Sequence, residues 1–300
     1  MQMLVIDHDS IASFDKTNTY FSPASATTLD RKGNKTLAVR TPGSSQRCSV
    51  MLGVTGEGKP FQPYLIFKGK YGPTGHIYRL FQRIYQEKEI MRNDPTHLPG
   101  RVFGRYPTRC YYSVQENTWN DSIHMIEWIK YVWQPWTETK NKPTMLILDE
   151  FTGHMTAEVR SALAKCGTHV EYIPGGFASN LQVMDVGFNK PFKDRYRHQF
   201  DHFCRTSATL LRREDVSTWV QNSWEALSLE RIATNTWRRV GLPQPMNNDV
   251  FVGAHPLVVV HIEDDDENID AVRGDDDQQE QGDLWMYDDT VRRMVLNDID

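Results

Sequence analysis

Apolar and β-branched positions dominate Ile11–Phe21, an extended segment that Ser22-Pro23 breaks. Lys35–Arg40 and Arg47–Val54 repeat the pattern, and the second is nearly continuous in apolar residues, as a strand buried on both faces requires. Thr55-Gly56-Glu57-Gly58-Lys59 has turn chemistry and leads into Pro63–Lys68, predicting a hairpin. Strands up to residue 68 are therefore expected to be antiparallel.

The period then lengthens. Asn120 or Asp121 can cap a helix in which Ile123, Ile126, Ile129 and Trp133 recur every three or four residues. Thr144–Leu148 is a short apolar run ending at Asp149, predicting a covered strand. Ala157–Lys165 reads as a helix closed by Cys166-Gly167, and His169–Ile173 as a strand stopped by Pro174-Gly175-Gly176. Helical spacing returns from Asp185 to about Phe203, then over Val216–Ala226 and Leu229–Val240. Strands first antiparallel and then joined by helices define an α/β layer architecture.

Charge divides the chain. Residues 261–300 hold 15 Asp/Glu against 3 Arg, a net of −12, and the remaining 31 basic and 24 acidic side chains leave a net of +7. Glu263–Asp283 is acidic and free of aromatics, the composition of a disordered tail, and Leu284, Tyr287, Val291, Met294 and Val295 beyond it keep a helical spacing. Most of the basic surplus lies in Phe61–Cys110, where Lys68, Lys70, Arg79 and Arg83 alternate with Tyr64, Phe67, Tyr71, Tyr78, Phe81, Tyr85, Phe103 and Tyr106. Two readings stand side by side there: cations for phosphate with aromatic faces for unpaired bases, or a solvated surface over an aromatic sub-core. No apolar run approaches the ~20 residues of a membrane span. Cys48, Cys110, Cys166 and Cys204 spell neither a zinc knuckle nor a redox pair, so a reducing compartment is expected.

Three carboxylates stand at the ends or within the core elements: Asp15 in the first strand, Asp149 at the end of an apolar strand, and Asp185 at a helix start. Singly, each also reads as an ordinary strand acid, turn former or cap. Together they would repel unless a divalent cation neutralised them, and hard oxygen ligands favour Mg²⁺ or Mn²⁺. Two such ions suit nucleolytic or strand-transfer chemistry on a phosphodiester. Asp7 and Asp9 compete for the first position, because Val5-Ile6-Asp7 also resembles a strand-end acid. His198 and His202 are spaced i, i+4, but Gln199 stands where a zinc-protease glutamate belongs, so the pair reads as helix surface.

Several strings resemble the DDE catalytic domain of pogo-type transposases, within the mariner/pogo superfamily. Phe14-Asp15-Lys16-Thr17-Asn18-Thr19-Tyr20-Phe21 is similar to the first-strand motif, with Phe14 in place of a methionine; Lys32-Gly33 with Lys35–Thr41, and Ile66–Lys70, resemble the strands that follow. Met145–His154 resembles the second motif, and Ile173–Gly176 with Leu181–Asp185 and Asn189–Lys193 the third. Thirty-five residues separate Asp149 from Asp185, the spacing of a DDD triad, and the likeness covers about residues 9–245. It implies an RNase H-like mixed sheet, its first three strands antiparallel and the rest parallel, flanked by helices. It further implies that Asp15, Asp149 and Asp185 bind two Mg²⁺ (or Mn²⁺) ions; His154, five residues past Asp149, reads equally as a donor behind that acid or as a structural histidine. Lys190 and Lys193 join Lys68, Lys70, Arg79 and Arg83 as candidate DNA contacts.

The resulting expectation is a metal-dependent DNA endonuclease and strand-transfer domain, acting in the nucleus in a synaptic complex of two active sites, with neither a membrane nor an organic cofactor. Residues 1–205 form the catalytic domain with a basic, aromatic insertion at about 69–110, residues 206–245 a helical extension, and residues 246–300 the acidic tail. The family's N-terminal helix-turn-helix modules have no room before Asp15, which raises the alternative of a catalytically silent, domesticated or truncated nucleic-acid-binding protein.

Overall fold

The computed structural model describes residues 4–23, 46–118, 121–207, 209–241 and 251–253. The expected strand at Lys35–Arg40, the Lys32-Gly33 turn, the Asn120 cap and the acidic tail with its helical spacing lie outside these residues.

The molecule is organised on β2 (Ile11–Tyr20), whose nine pairs with β3 (Arg47–Thr55) run antiparallel from Ala12↔Thr55 to Tyr20↔Arg47. The turn after β3 closes with Thr55 N–H donating to the Lys59 carbonyl at 3.0 Å, and Gly58 takes the left-handed conformation (φ 83°) that the turn requires. β4 (Tyr64–Lys68) returns antiparallel to β3, and β5 (Tyr111–Gln115) lies parallel to β4 at the edge. On the other side of β2, β6 (Thr144–Asp149) and β7 (Thr168–Ile173) are both parallel additions. The order β5-β4-β3-β2-β6-β7 is a mixed RNase H-like sheet, as expected, with β5 as an additional edge. A short antiparallel pair, β1 (Leu4–Ile6) and β8 (Phe251–Gly253), stands apart from it.

Helices cover both faces. Phe14, Ile66, Leu146 and Leu148 face α2 (Ser122–Trp128), the π-helical turn Ile129–Trp133, α3 (Gln134–Glu138) and α4 (Ala157–Lys165), with Trp128 and Trp133 fully buried between the layers. Ile11, Leu52, Leu65, Phe67 and Ile147 share the opposite core with α6 (Asn189–Thr206), α7 (Arg213–Glu225) and α8 (Leu229–Arg239), through Phe188, Phe192, Trp219, Trp224 and Trp237. Helices α7 and α8 thus close over the sheet face from which Asp15 projects. Among the described residues no helix is long and apolar enough to cross a membrane.

The pattern of apolar residues does not announce α1 (His76–Asn93), inside the basic, aromatic stretch, or β5, which follows directly after it. Of the eight aromatics named above, Tyr64, Phe67, Phe81, Tyr85, Phe103 and Tyr106 are buried. Phe81 lies against Tyr112 and Tyr106 at 5.3 and 5.4 Å between ring centroids. The sub-core reading holds for these six rings, since a ring committed to the interior has no face left for a base. The exposed cations remain: Lys68, Lys70, Arg79 and Arg83 make no ion pair among the described residues, whereas Arg92, Arg105 and Arg109 pair with Glu89, Asp215 and Glu225.

A polar network is sealed beneath this stretch. Asp121 caps α2, accepting from the His124 backbone N–H at 3.1 Å and lying 2.6 Å from its ring Nδ1. The carboxylate of buried Glu127 accepts from Tyr71 at 2.8 Å, from Ser113 at 2.9 Å and from Tyr64. Burial disfavours the His124 imidazolium, but the charge and hydrogen bond of Asp121, the charge of Glu127 and the Val114 carbonyl prevail and push it up to about 9. A folded-state value above the unfolded one stabilises the fold fully below about pH 6.5, and that contribution is lost as pH rises through the folded value. The unfolding free energy is expected to fall by about 2–3 kcal/mol across that window, less so in Asp121→Asn, as urea titrations at several pH values will show.

Candidate active site

Parallel pairing brings the first two acids together. β2 and β6 are in register from Ile11↔Met145 to Ser13↔Ile147. The same offset carried two residues further sets Asp15 beside Asp149, on strands about 4.8 Å apart. Because side chains alternate, both carboxylates emerge on the face covered by α6. Asp149 ends its strand, and its Oδ1 lies 2.8 Å from Nδ1 of His154, a buried histidine packed edge-on against Phe14 and Phe151.

The third acid arrives from above. After β7, Gly175 N–H donates to Glu150 Oε2 at 2.8 Å, and the chain passes through the single turn α5 (Ala178–Leu181) into a π-helical turn, Met184–Phe188, that carries Asp185 and runs on into α6. Two amides fasten this segment to β2. Buried Gln182 accepts from Ser13 at 3.1 Å and donates to the Phe14 carbonyl at 2.9 Å. Asn189 Nδ2 donates to Asp15 Oδ2 at 2.9 Å and to Asp185 Oδ1 at 2.7 Å, so one nitrogen bridges two of the acids. Gly187 sits on the far side of the turn, where an added Cβ would meet Thr236 Oγ1 of α8 at 1.9 Å; only glycine permits that approach.

The electrostatics separate the three acids. Burial, followed by the Asp185 and Asp149 charges, pushes Asp15 up to about 7 against the restraint of the Asn189 and Lys16 donors. Asp185 is also raised, by lost hydration and by Asp149, with Asn189 and Lys193 opposing. Burial acts to raise Asp149 as well, but the His154 hydrogen bond and charge and the Phe151 N–H outweigh it, leaving Asp149 below the ordinary value. One acid is thus held below the ordinary value while the other two are pushed above it, as burial and mutual repulsion of crowded carboxylates dictate.

The three carboxylates at this site are all hard oxygen ligands; Asn189 turns its nitrogen to two of them, and its Oδ1 is buried without a hydrogen-bond partner among the described residues. An orphaned buried acceptor costs about 1–3 kcal/mol, and a hard cation is the natural complement to this set. The fit is one of donor chemistry. Among the described residues no three His, Cys, Asp or Glu side chains form a finished metal cage. The amide joins Asp15 and Asp185, and His154 engages Asp149.

Asp7 and Asp9 stand elsewhere. Asp7 pairs with Lys142 at 2.7 Å, and Asp9 with Lys142 at 2.8 Å and Lys140 at 3.4 Å, at the edge where β2 and β6 begin. Lys190 and Lys193 are exposed on the first turns of α6, and His198 and His202 are exposed further along it. β4 runs in the direction of β2, so Lys68 and the following Lys70 emerge at the same end of the sheet as Asp149, while Arg79 and Arg83 lie on α1. Sequence reasoning assigned no role to Gln182 or Asn189. Asn189 stands four residues after Asp185, a spacing that sets two side chains on one helical face and was the available signal, whereas Gln182 is an extended residue between the two turns.

A family model of DDE superfamily endonucleases matches residues 45–237, and the chain belongs to that family. The human protein "Pogo transposable element with KRAB domain" is 28% identical over 229 residues, 73% of this chain and 33% of that protein. Its mouse counterpart gives the same identity and coverage. The chain therefore spans about a third of the length of these relatives. Among solved structures, the Mos1 transposase paired-end complex with left transposon end superposes with a TM-score of 0.47 at 9% identity, covering 78% of this chain and 52% of that one.

Proposed function

We propose that this chain is a transposase catalytic domain that cleaves and rejoins DNA phosphodiesters with two Mg²⁺ or Mn²⁺ ions held by Asp15, Asp149 and Asp185. The supporting observation is the bridge from Asp15 through Asn189 to Asp185, beside an Asp149 kept ionised by His154. Divalent ions bound there supply Lewis acidity for an attacking water or 3′-hydroxyl and for the leaving oxygen. The protein supplies the rest. His154 fixes the orientation of Asp149, Gln182 ties the third acid's segment to β2, and the buried Asp15 anchors the inner end of the site. Lys190 and Lys193 offer their ammonium groups to phosphates at its mouth, and Lys68, Lys70, Arg79 and Arg83 extend the track. DNA is the partner, synaptic pairing of two sites the assembly, and the nucleus the setting.

The test is nicking of supercoiled plasmid by the purified chain with Mn²⁺ or Mg²⁺ against a chelator control. The hydrogen bonds that already engage all three acids, through Asn189 and His154, favour a second reading, a catalytically silent DNA-binding protein. Binding that falls steeply with salt, without metal-dependent nicking, selects it. Under either reading, Lys190→Glu/Lys193→Glu is expected to weaken DNA binding and to flatten log K against log salt by about one unit for each phosphate no longer neutralised, read by fluorescence anisotropy.

A further inference from the structure

The amide of Asn189 is divided in its use. Both donors go to carboxylates, Asp15 at 2.9 Å and Asp185 at 2.7 Å, while Oδ1 is buried and receives no hydrogen bond among the described residues. The hydrogen bonds settle this orientation: two acceptors facing one amide need its nitrogen, because an inward oxygen would add a third acceptor. Turned over, the same side chain presents a neutral hard oxygen to the same place. That orientation suits a site in which a cation stands among the carboxylates. The backbone around it is pinned on both sides, by Gln182 to β2 and by the Tyr196 hydroxyl donating to the Tyr20 carbonyl at 2.9 Å. Exchange is thereby confined to rotation of one amide.

We propose that Asn189 is a two-state positioning residue, its nitrogen clamping Asp15 to Asp185 when no cation is bound and its oxygen becoming a ligand when one is. The inference rests on the divalent-ion reading given above. It explains why an amide suits this position: a carboxylate would serve the loaded state only, and an apolar side chain neither.

The test uses the full chain and reads metal binding apart from catalysis, by thermal unfolding in chelator and in millimolar Mn²⁺, with Mn²⁺ affinity from electron paramagnetic resonance. Asn189→Leu is expected to melt lower than wild type in chelator and to bind Mn²⁺ about tenfold more weakly or worse. Asn189→Asp is expected to melt lower in chelator as well, yet to gain more from Mn²⁺ than wild type does. A purely structural role would not give opposite metal responses from two variants that are both weakened without metal. Wild-type Mn²⁺ affinity in Asn189→Leu overturns the proposal, and if that variant does not fold, Asn189→Ala is judged by the same criterion. Failure of the wild-type chain itself to bind Mn²⁺ refutes the divalent-ion reading, a result separable from loss of the Asn189 assignment alone.

Discussion

Alanine at Asp149 is expected to lower metal-dependent nicking by about a thousandfold or more, and alanine at Asp15 to do the same. Removing a carboxylate that holds a catalytic ion forfeits several kcal/mol of transition-state stabilisation, and each 1.4 kcal/mol is a factor of ten. The paired controls are Asp7→Ala and Asp9→Ala, whose carboxylates serve Lys140 and Lys142 at the other end of the strands. Partly exposed ion pairs of this kind contribute about 0–1 kcal/mol, so those variants should nick at close to the wild-type rate. A plasmid-relaxation time course on the four proteins decides the matter. An Asp149→Ala protein as active as wild type would remove the proposed mechanism.

The largest effect on stability is expected at Glu127. Its buried carboxylate is the common acceptor for Tyr64, Tyr71 and Ser113, and its charge also favours the His124 imidazolium. Glu127→Ala strands three hydroxyls and a buried cation at once, and losing one member of such a network costs about 3–5 kcal/mol. For a domain of this size that is roughly 10 °C in melting temperature. Glu127→Gln, which keeps one acceptor oxygen, should lose markedly less. Urea unfolding of the three proteins provides the comparison, and equal midpoints would show that the network contributes no net stability.

These two groups of residues differ in how legible they are. Asp149 can be recognised because an apolar run that ends in an acid is conspicuous, and the strands around it follow from period-two and apolar runs. Asp15 is harder, since one polar residue inside a long strand resembles any other; its importance rests on which strand lies beside it, and that is tertiary information. Asn189 and Gln182 lie within motif strings yet look like ordinary helix residues until the partners on β2 are known. The Glu127 network joins residues 63, 56 and 14 positions away, so no local window contains it. Helix α1 escapes notice for a related reason: where aromatics and cations are mixed at high density, neither a period of two nor one of 3.6 stands out.

Two of the acids ride on neighbouring strands of one hydrogen-bonded ladder, and the last rides on a wide helical turn wedged against α8 at Gly187. The site is built like a vise with one jaw in the sheet and the other on a turn held by side chains. The gap between Asp15 and Asp149 is as stiff as the sheet, whereas the reach of Asp185 is set by side-chain packing beneath its turn. Under the proposed divalent-ion function, engineering that aims to retune ion radius should therefore begin at the Gly187–Thr236 contact and leave the strands untouched.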